Sequence, residues 1–141
     1  MCTHQFTRPA TLSSGSAFVP VLSPDAQQTY LYVADGTNHK VWVLRRSDLE
    51  IVGDFGRGGR QLGQFLRPHG MSIDNQGNLY MSSGGVSVYS TKTGQLIGVI
   101  PVPEGPANVA FGGPDHSMLY ITARTGFYAI QTNVKGENPG K

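Results

Sequence analysis

The chain has 141 residues, 38% of them apolar, and a formal charge of +2 from 11 basic and 9 acidic side chains. That length buries one modest core, and scattered charges with no like-sign run of about five exclude the electrostatic footprint of a nucleic-acid binder. No stretch approaches the roughly 18 continuous apolar residues of a membrane helix. The start "MCTHQFTRPATLSSGS" lacks the apolar core of about seven residues that a secretory signal needs, and the single cysteine, Cys2, cannot form an internal disulfide. These features place the protein in the cytoplasm by default, with neither nucleic acid nor membrane as a partner.

Residues 1–17 read as an N-terminal segment in which "THQFT" (3–7) is a candidate closing strand. From there, 19 glycines and 9 prolines punctuate short runs of Val, Ile, Leu and Tyr, and no helical period is sustained. Strands are predicted, in order, at 18–22, 30–35, 40–45, 49–55, 69–74, 78–83, 86–90, 95–100, 107–111, 118–123 and 126–130. Two turns carry clear chemistry. "NQGN" (75–78) and "TKTGQ" (91–95) put Gly77 and Gly94 where a hairpin calls for positive φ.

A repeat organises these strands. "LYVADG" begins at 31, "LYMSSG" at 79 and "LYITAR" at 119, each after a turn rich in Asp, Ser or Gly and before another short strand. Units of four antiparallel strands recurring every 40 to 50 residues are the pattern of β-propeller blades. The fold class is therefore all-β, with three blades over 18–131 (about 18–55, 69–100 and 107–131) and a polar tail at 132–141. The third blade has three predicted strands where the others have four, because "QTNVKGENPGK" is unsuited to a strand. Three blades do not close a ring when propellers have roughly four to eight. Either the chain is part of a longer propeller, or two copies form a homodimer that completes a six-bladed ring.

Two resemblances bear on function. The half "GNLYMSSGGVSVYSTKTGQLIGVIPVPEGPANVAFGGPDHSMLYITARTGFYAIQTNVKG" (77–136) resembles the C-terminal blades of the gluconolactonase and senescence-marker-protein family of six-bladed propellers. The half "YLYVADGTNHKVWVLRRSDLEIVGDFGRGGRQLGQFLRPHG" (30–70) is similar to NHL-repeat propellers, through its "GxFGxxGxxxGQFxxPxG"-like linker. The first resemblance implies metal-dependent hydrolysis of sugar lactones. It implies a calcium or zinc ion held by a Glu, an Asn and an Asp, whose oxygens suit a hard cation that polarises the lactone carbonyl. The second implies a non-catalytic module that binds a ligand or protein partner.

Carried over position by position, the family's Asp in "PDG" falls on His69 in "PHG" and its Asn falls on Phe18, while its Glu belongs to a blade upstream. His69 also matches a zinc-binding histidine of the amidating-lyase members among NHL propellers, and neutral imidazole is a good zinc ligand. His69 is thus the candidate metal ligand, against the plainer reading of a hydrogen-bonded histidine at a blade start. Asn108 in "PANVAF" matches the family and is the candidate ligand-binding residue. The other features read as structural. His39, His4 and His116 fall in loops, turns or the terminus. The arginines at 45, 46, 57, 60 and 67 form a solvated face and linker, and "GRGGR" is a flexible connection. Trp42 and the tyrosines pack the blades, and Ser82 and Ser83 lack a triad pattern. No catalytic residue is nominated.

Overall fold

The computed structural model describes residues 20–36, 38–56 and 70–137, which form eleven strands and no helix. They are β1 (Pro20–Leu22), β2 (Tyr30–Asp35), β3 (Lys40–Arg45), β4 (Ile51–Phe55), β5 (Met71–Ile73), β6 (Asn78–Ser82), β7 (Val86–Ser90), β8 (Leu96–Ile100), β9 (Pro106–Gly112), β10 (Met118–Ala123) and β11 (Phe127–Gln131). Each lies on its predicted stretch, with ends shifted by at most two residues where these are described; residues 18, 19 and 69 of the predicted strands lie outside the described residues. The candidate closing strand at 3–7 lies outside the described residues.

Three antiparallel sheets result, β1-β2-β3-β4, β5-β6-β7-β8 and β9-β10-β11. Every pairing joins neighbours in sequence, as short turns dictate. The repeat extends to its irregularities. The register slips between Val43 and Leu44 against β4, and at the equivalent place between Val88 and Tyr89 against β8. Gly77 (φ 87°) and Gly94 (φ 72°) occupy the left-handed conformation expected of them.

The Leu-Tyr repeat explains how the blades stack. Successive side chains on a strand point to opposite faces, so in β6 Leu79 turns back towards the first blade and Tyr80 forward to the third. Leu79 and Met81 join Tyr32, Ala34, Val41, Phe55 and Tyr89 in one core cluster, with the Phe55 and Tyr89 rings 5.7 Å apart. Tyr80, Val86 and Val88 join Val109, Leu119 and Ile121 in a second. Tyr80 meets Phe111 edge-on at 4.9 Å, a favoured aromatic geometry. A third cluster, Val33, Trp42 and Leu44, lies on the face of the first blade turned away from the second. Trp42 donates its Nε1–H to Asp35 at 3.1 Å, so its one polar atom is satisfied inside that cluster.

The turn between the first two strands of each blade is fastened by an aspartate. Asp25 accepts from the Thr29 amide at 3.0 Å and from the hydroxyls of Thr29 and Ser23. Asp115 accepts from the amide and hydroxyl of Ser117. The Ser23 and Thr29 hydrogen bonds hold the Asp25 carboxyl down at about 2. In the middle blade Asp74 is fully buried and accepts from the amides of Gln76 and Asn78, each at 2.9 Å, from Asn78 Nδ2 at 2.9 Å, and from the Tyr80 hydroxyl at 3.3 Å. Burial first, and the Asp74 carboxylate second, push the Tyr80 hydroxyl up to about 12.

Candidate functional site

The first strands of the three blades lie in succession, β1 beside β5 and β5 beside β9, and line a cleft of about 360 Å³. Its walls are Val21, Met71, Ile73, Ala110 and Phe111, with Ser72, Gln28 and Glu137 as polar members. A concave, largely apolar surface with few polar groups is the usual form of a small-molecule site.

One end of the cleft is where β5 and β9 begin, and there the packing is closest. A Cβ built on Gly70 would lie 1.8 Å from Asn108 Oδ1 and 2.6 Å from the Asn108 Cα, so only glycine lets the two strand starts meet. Ser82, fully buried at the end of β6, fastens the junction. Its Oγ accepts from the Gly70 amide at 2.9 Å and donates towards the carbonyls of Ala107 (3.1 Å) and Gly70 (3.3 Å). Further along, the Ser72 hydroxyl accepts from the Phe111 amide at 3.3 Å, a second tie between the same strands. The linker into β9 is held from outside by Glu104, which accepts from the Thr125 amide at 3.0 Å and the Tyr128 hydroxyl at 3.0 Å. These bonds, the Thr125 amide first, hold the Glu104 carboxyl below its usual range.

The opposite end is closed by the C-terminal segment. After β11 the chain turns back, with the Thr132 amide donating to Ser117 and the Gly136 amide to the His116 carbonyl. It then runs beside β5. The Asn75 amide donates to the Lys135 carbonyl, the Glu137 amide donates to the Ile73 carbonyl, and Asp74 and Gly136 form an antiparallel bridge. A Cβ on Gly136 would lie 2.1 Å from Phe111 Cβ, so the segment passes tightly over that ring. Glu137 enters the cleft lining by this route.

Asn108 is exposed beside Gly70 near the start of β9, two residues before Ala110 of the cleft lining, with its Oδ1 accepting from the Val109 amide at 2.9 Å. The candidate metal residue His69 and the substituted position Phe18 lie outside the described residues. His39 (φ 55°) and His116 (φ 59°) occupy turns, as expected. Ser82 ties the start of β5 to the start of β9 through these hydrogen bonds. Its role was missed because only the fold reveals that the hydroxyl sits between two blades. The one sequence signal for it is a polar residue at a forward-facing position of β6 where the repeat has Ala34 in β2.

No group of three or more His, Cys, Asp or Glu side chains able to hold a cation occurs among the described residues. Asn108 offers a single oxygen, already bonded to the backbone. These residues do not fit a divalent cation on their own, and no chemical step is derived through one.

A family model described as the SMP-30/Gluconolactonase/LRE-like region matches residues 9–125. The match runs through the 30–70 stretch as well as the half from 77 onwards. A 6-deoxy-6-sulfogluconolactonase of Pseudomonas putida is 36% identical to this chain, covering 79% of the chain and 38% of that relative. Among solved structures, a gluconolactonase from Xanthomonas campestris superposes with a TM-score of 0.62 at 26% identity, over 79% of this chain and 36% of its own. The calcium-binding protein regucalcin from Agrobacterium tumefaciens does so with a TM-score of 0.63 at 22% identity, over 84% and 46%. The chain thus spans 38% of the length of the curated relative it matches.

Proposed function

We propose that this chain, which belongs to the SMP-30/gluconolactonase/LRE-like family, forms the sugar-lactone-binding wall of a lactonase-type propeller, with the lactone held where β5 and β9 begin. The observation that carries the reading is the close approach of Gly70 to Asn108, fastened by Ser82, which fixes an exposed polar side chain next to the Met71 and Ala110 strands that line an apolar cleft. Asn108 Oδ1 is bonded to the Val109 amide, so Nδ2 is the atom it has for a ligand, and an N–H donor suits the carbonyl and hydroxyl oxygens of a lactone. The cleft walls at Met71, Ala110 and Phe111 offer apolar surface to the C–H face of a sugar ring.

Turnover by the isolated chain is not part of this reading. The cation that the family resemblance implies, calcium or zinc, requires ligands beyond the described residues. His69 replaces an acidic oxygen at the matched position, and Phe18 offers no donor atom. Imidazole favours zinc over calcium, whose ligands are oxygens.

The test combines two measurements on the 141-residue chain. Hydrolysis of a sugar lactone, followed by proton release with calcium or zinc added, is expected to stay at the uncatalysed rate. Calorimetric binding of the same lactone is expected to weaken roughly tenfold in Asn108→Ala, the loss of about one hydrogen bond. Rapid hydrolysis would refute the loss of turnover, and unaltered binding by the variant would refute the placement at Asn108.

A further inference from the structure

Among the described residues that line the cleft, one is charged. The walls are apolar, Ser72 and Gln28 are neutral, and Glu137 brings a carboxylate with no lysine or arginine in the lining to offset it. Lys135, two residues earlier, is exposed and stands outside the lining. Asp74, which bridges Gly136, is a second acidic group beside this segment and is fully buried. Glu137 itself is half-buried, and among the described residues no hydrogen bond or ion pair occupies its carboxylate. Its backbone is nevertheless fixed. The Glu137 amide donates to the Ile73 carbonyl at 2.9 Å, and Gly136 before it is buried against Phe111, so the segment is tied to β5 and β9 together.

We propose that Glu137 sets the charge class of the ligand: the cleft takes a neutral sugar lactone, whose terminal hydroxymethyl group donates to this carboxylate, and rejects a lactone whose far end is a carboxylate or phosphate. With the lactone placed as proposed above, on which this inference rests, the spacing agrees. From Gly70, beside Asn108, to Ile73, which holds Glu137, three steps of extended chain cover about 10 Å. That is the reach of a six-carbon lactone with a hydrogen bond of roughly 2.8 Å at each end. A hydroxyl donating to a carboxylate makes a charge-assisted bond, stronger than the neutral kind. An anionic far end has no proton to donate, and it would meet a like charge between apolar walls, where repulsion is screened less than in water. Ser72 and Gln28 each offer both donor and acceptor and favour neither charge.

Calorimetric titration of the 141-residue chain with two γ-lactones separates the classes. Glucono-γ-lactone ends in a hydroxymethyl group, and glucaro-γ-lactone ends in a carboxylate. The neutral lactone is expected to bind roughly tenfold tighter, with a preference that shrinks as salt rises. Glu137→Gln keeps the shape of the side chain and leaves the amide bond to Ile73 in place, so circular dichroism is expected to be unchanged. In that variant the two lactones are expected to bind within about twofold of each other, the anionic one tighter than before and the neutral one weaker. Asn108→Ala is expected to weaken both alike and leave the preference intact. Equal affinity of the unmodified chain for the two lactones, or a preference that Glu137→Gln does not change, would overturn the role of Glu137 while the lactone placement stands. Binding of neither lactone would overturn the placement, and the role of Glu137 with it.

Discussion

Gly70→Ala is expected to lower the stability of the chain by about 3 kcal/mol, at the upper end for overpacking a tight interior. The added methyl would lie 2.6 Å from the Asn108 Cα as well as 1.8 Å from its Oδ1. Rotating the Asn108 side chain relieves only the second overlap, so β5 and β9 must separate. Separation strains the Ser82 bonds to Gly70 and Ala107 and shifts Asn108. The expected result is therefore a fall in the denaturant midpoint together with weaker lactone binding. Asn108→Ala removes the overlap with the side chain but leaves the overlap with the backbone of residue 108, so the double variant should recover only part of the stability. A neutral Gly70→Ala would show that the strand starts are not packed as described.

The second large effect lies at the other end of the cleft. Asp74→Ala is expected to cost about 3 kcal/mol, because the carboxylate is fully buried and four donors lose their acceptor: two amides, the Asn78 side chain and the Tyr80 hydroxyl. Asp74→Asn keeps an oxygen for the Gln76 and Asn78 amides and should recover part of the loss. Tyr80 supplies an independent signature. Its hydroxyl stands at about 12 through burial and the neighbouring carboxylate, so removing that charge should bring tyrosinate formation to lower pH in an ultraviolet titration. A loss below about 1 kcal/mol in the alanine variant would contradict the network.

The strands were legible because β-branched and aromatic residues alternate between turns whose glycines need positive φ, a local signal that Gly77 and Gly94 satisfy. The blades were legible because Leu-Tyr recurs in β2, β6 and β10, where backbone alternation dictates which residue faces which neighbour. The three-stranded sheet of the third blade among the described residues also follows from its polar continuation.

The site was less legible, because its geometry is made by residues distant in sequence. Ser82 reaches Ala107 across 25 residues. The segment 135–137 pairs with residues 73–75 through one bridge and two amide bonds, too short a run to show alternation. Asn108 was identified by family likeness, and its approach to Gly70 needs the fold. His69, the residue on which the metal question turns, comes directly before Gly70 in the chain but lies outside the described residues.

A site-resolved titration tests most directly whether a lactone binds where β5 and β9 begin. With sugar lactone added to isotopically labelled chain, the amide resonances of Gly70, Asn108 and Val109 are expected to shift most, with smaller shifts at Met71 and Ser72 along the cleft. Shifts confined to the outer groove between the first two blades, around Thr91–Gly94, or no shifts at about millimolar lactone, would contradict it.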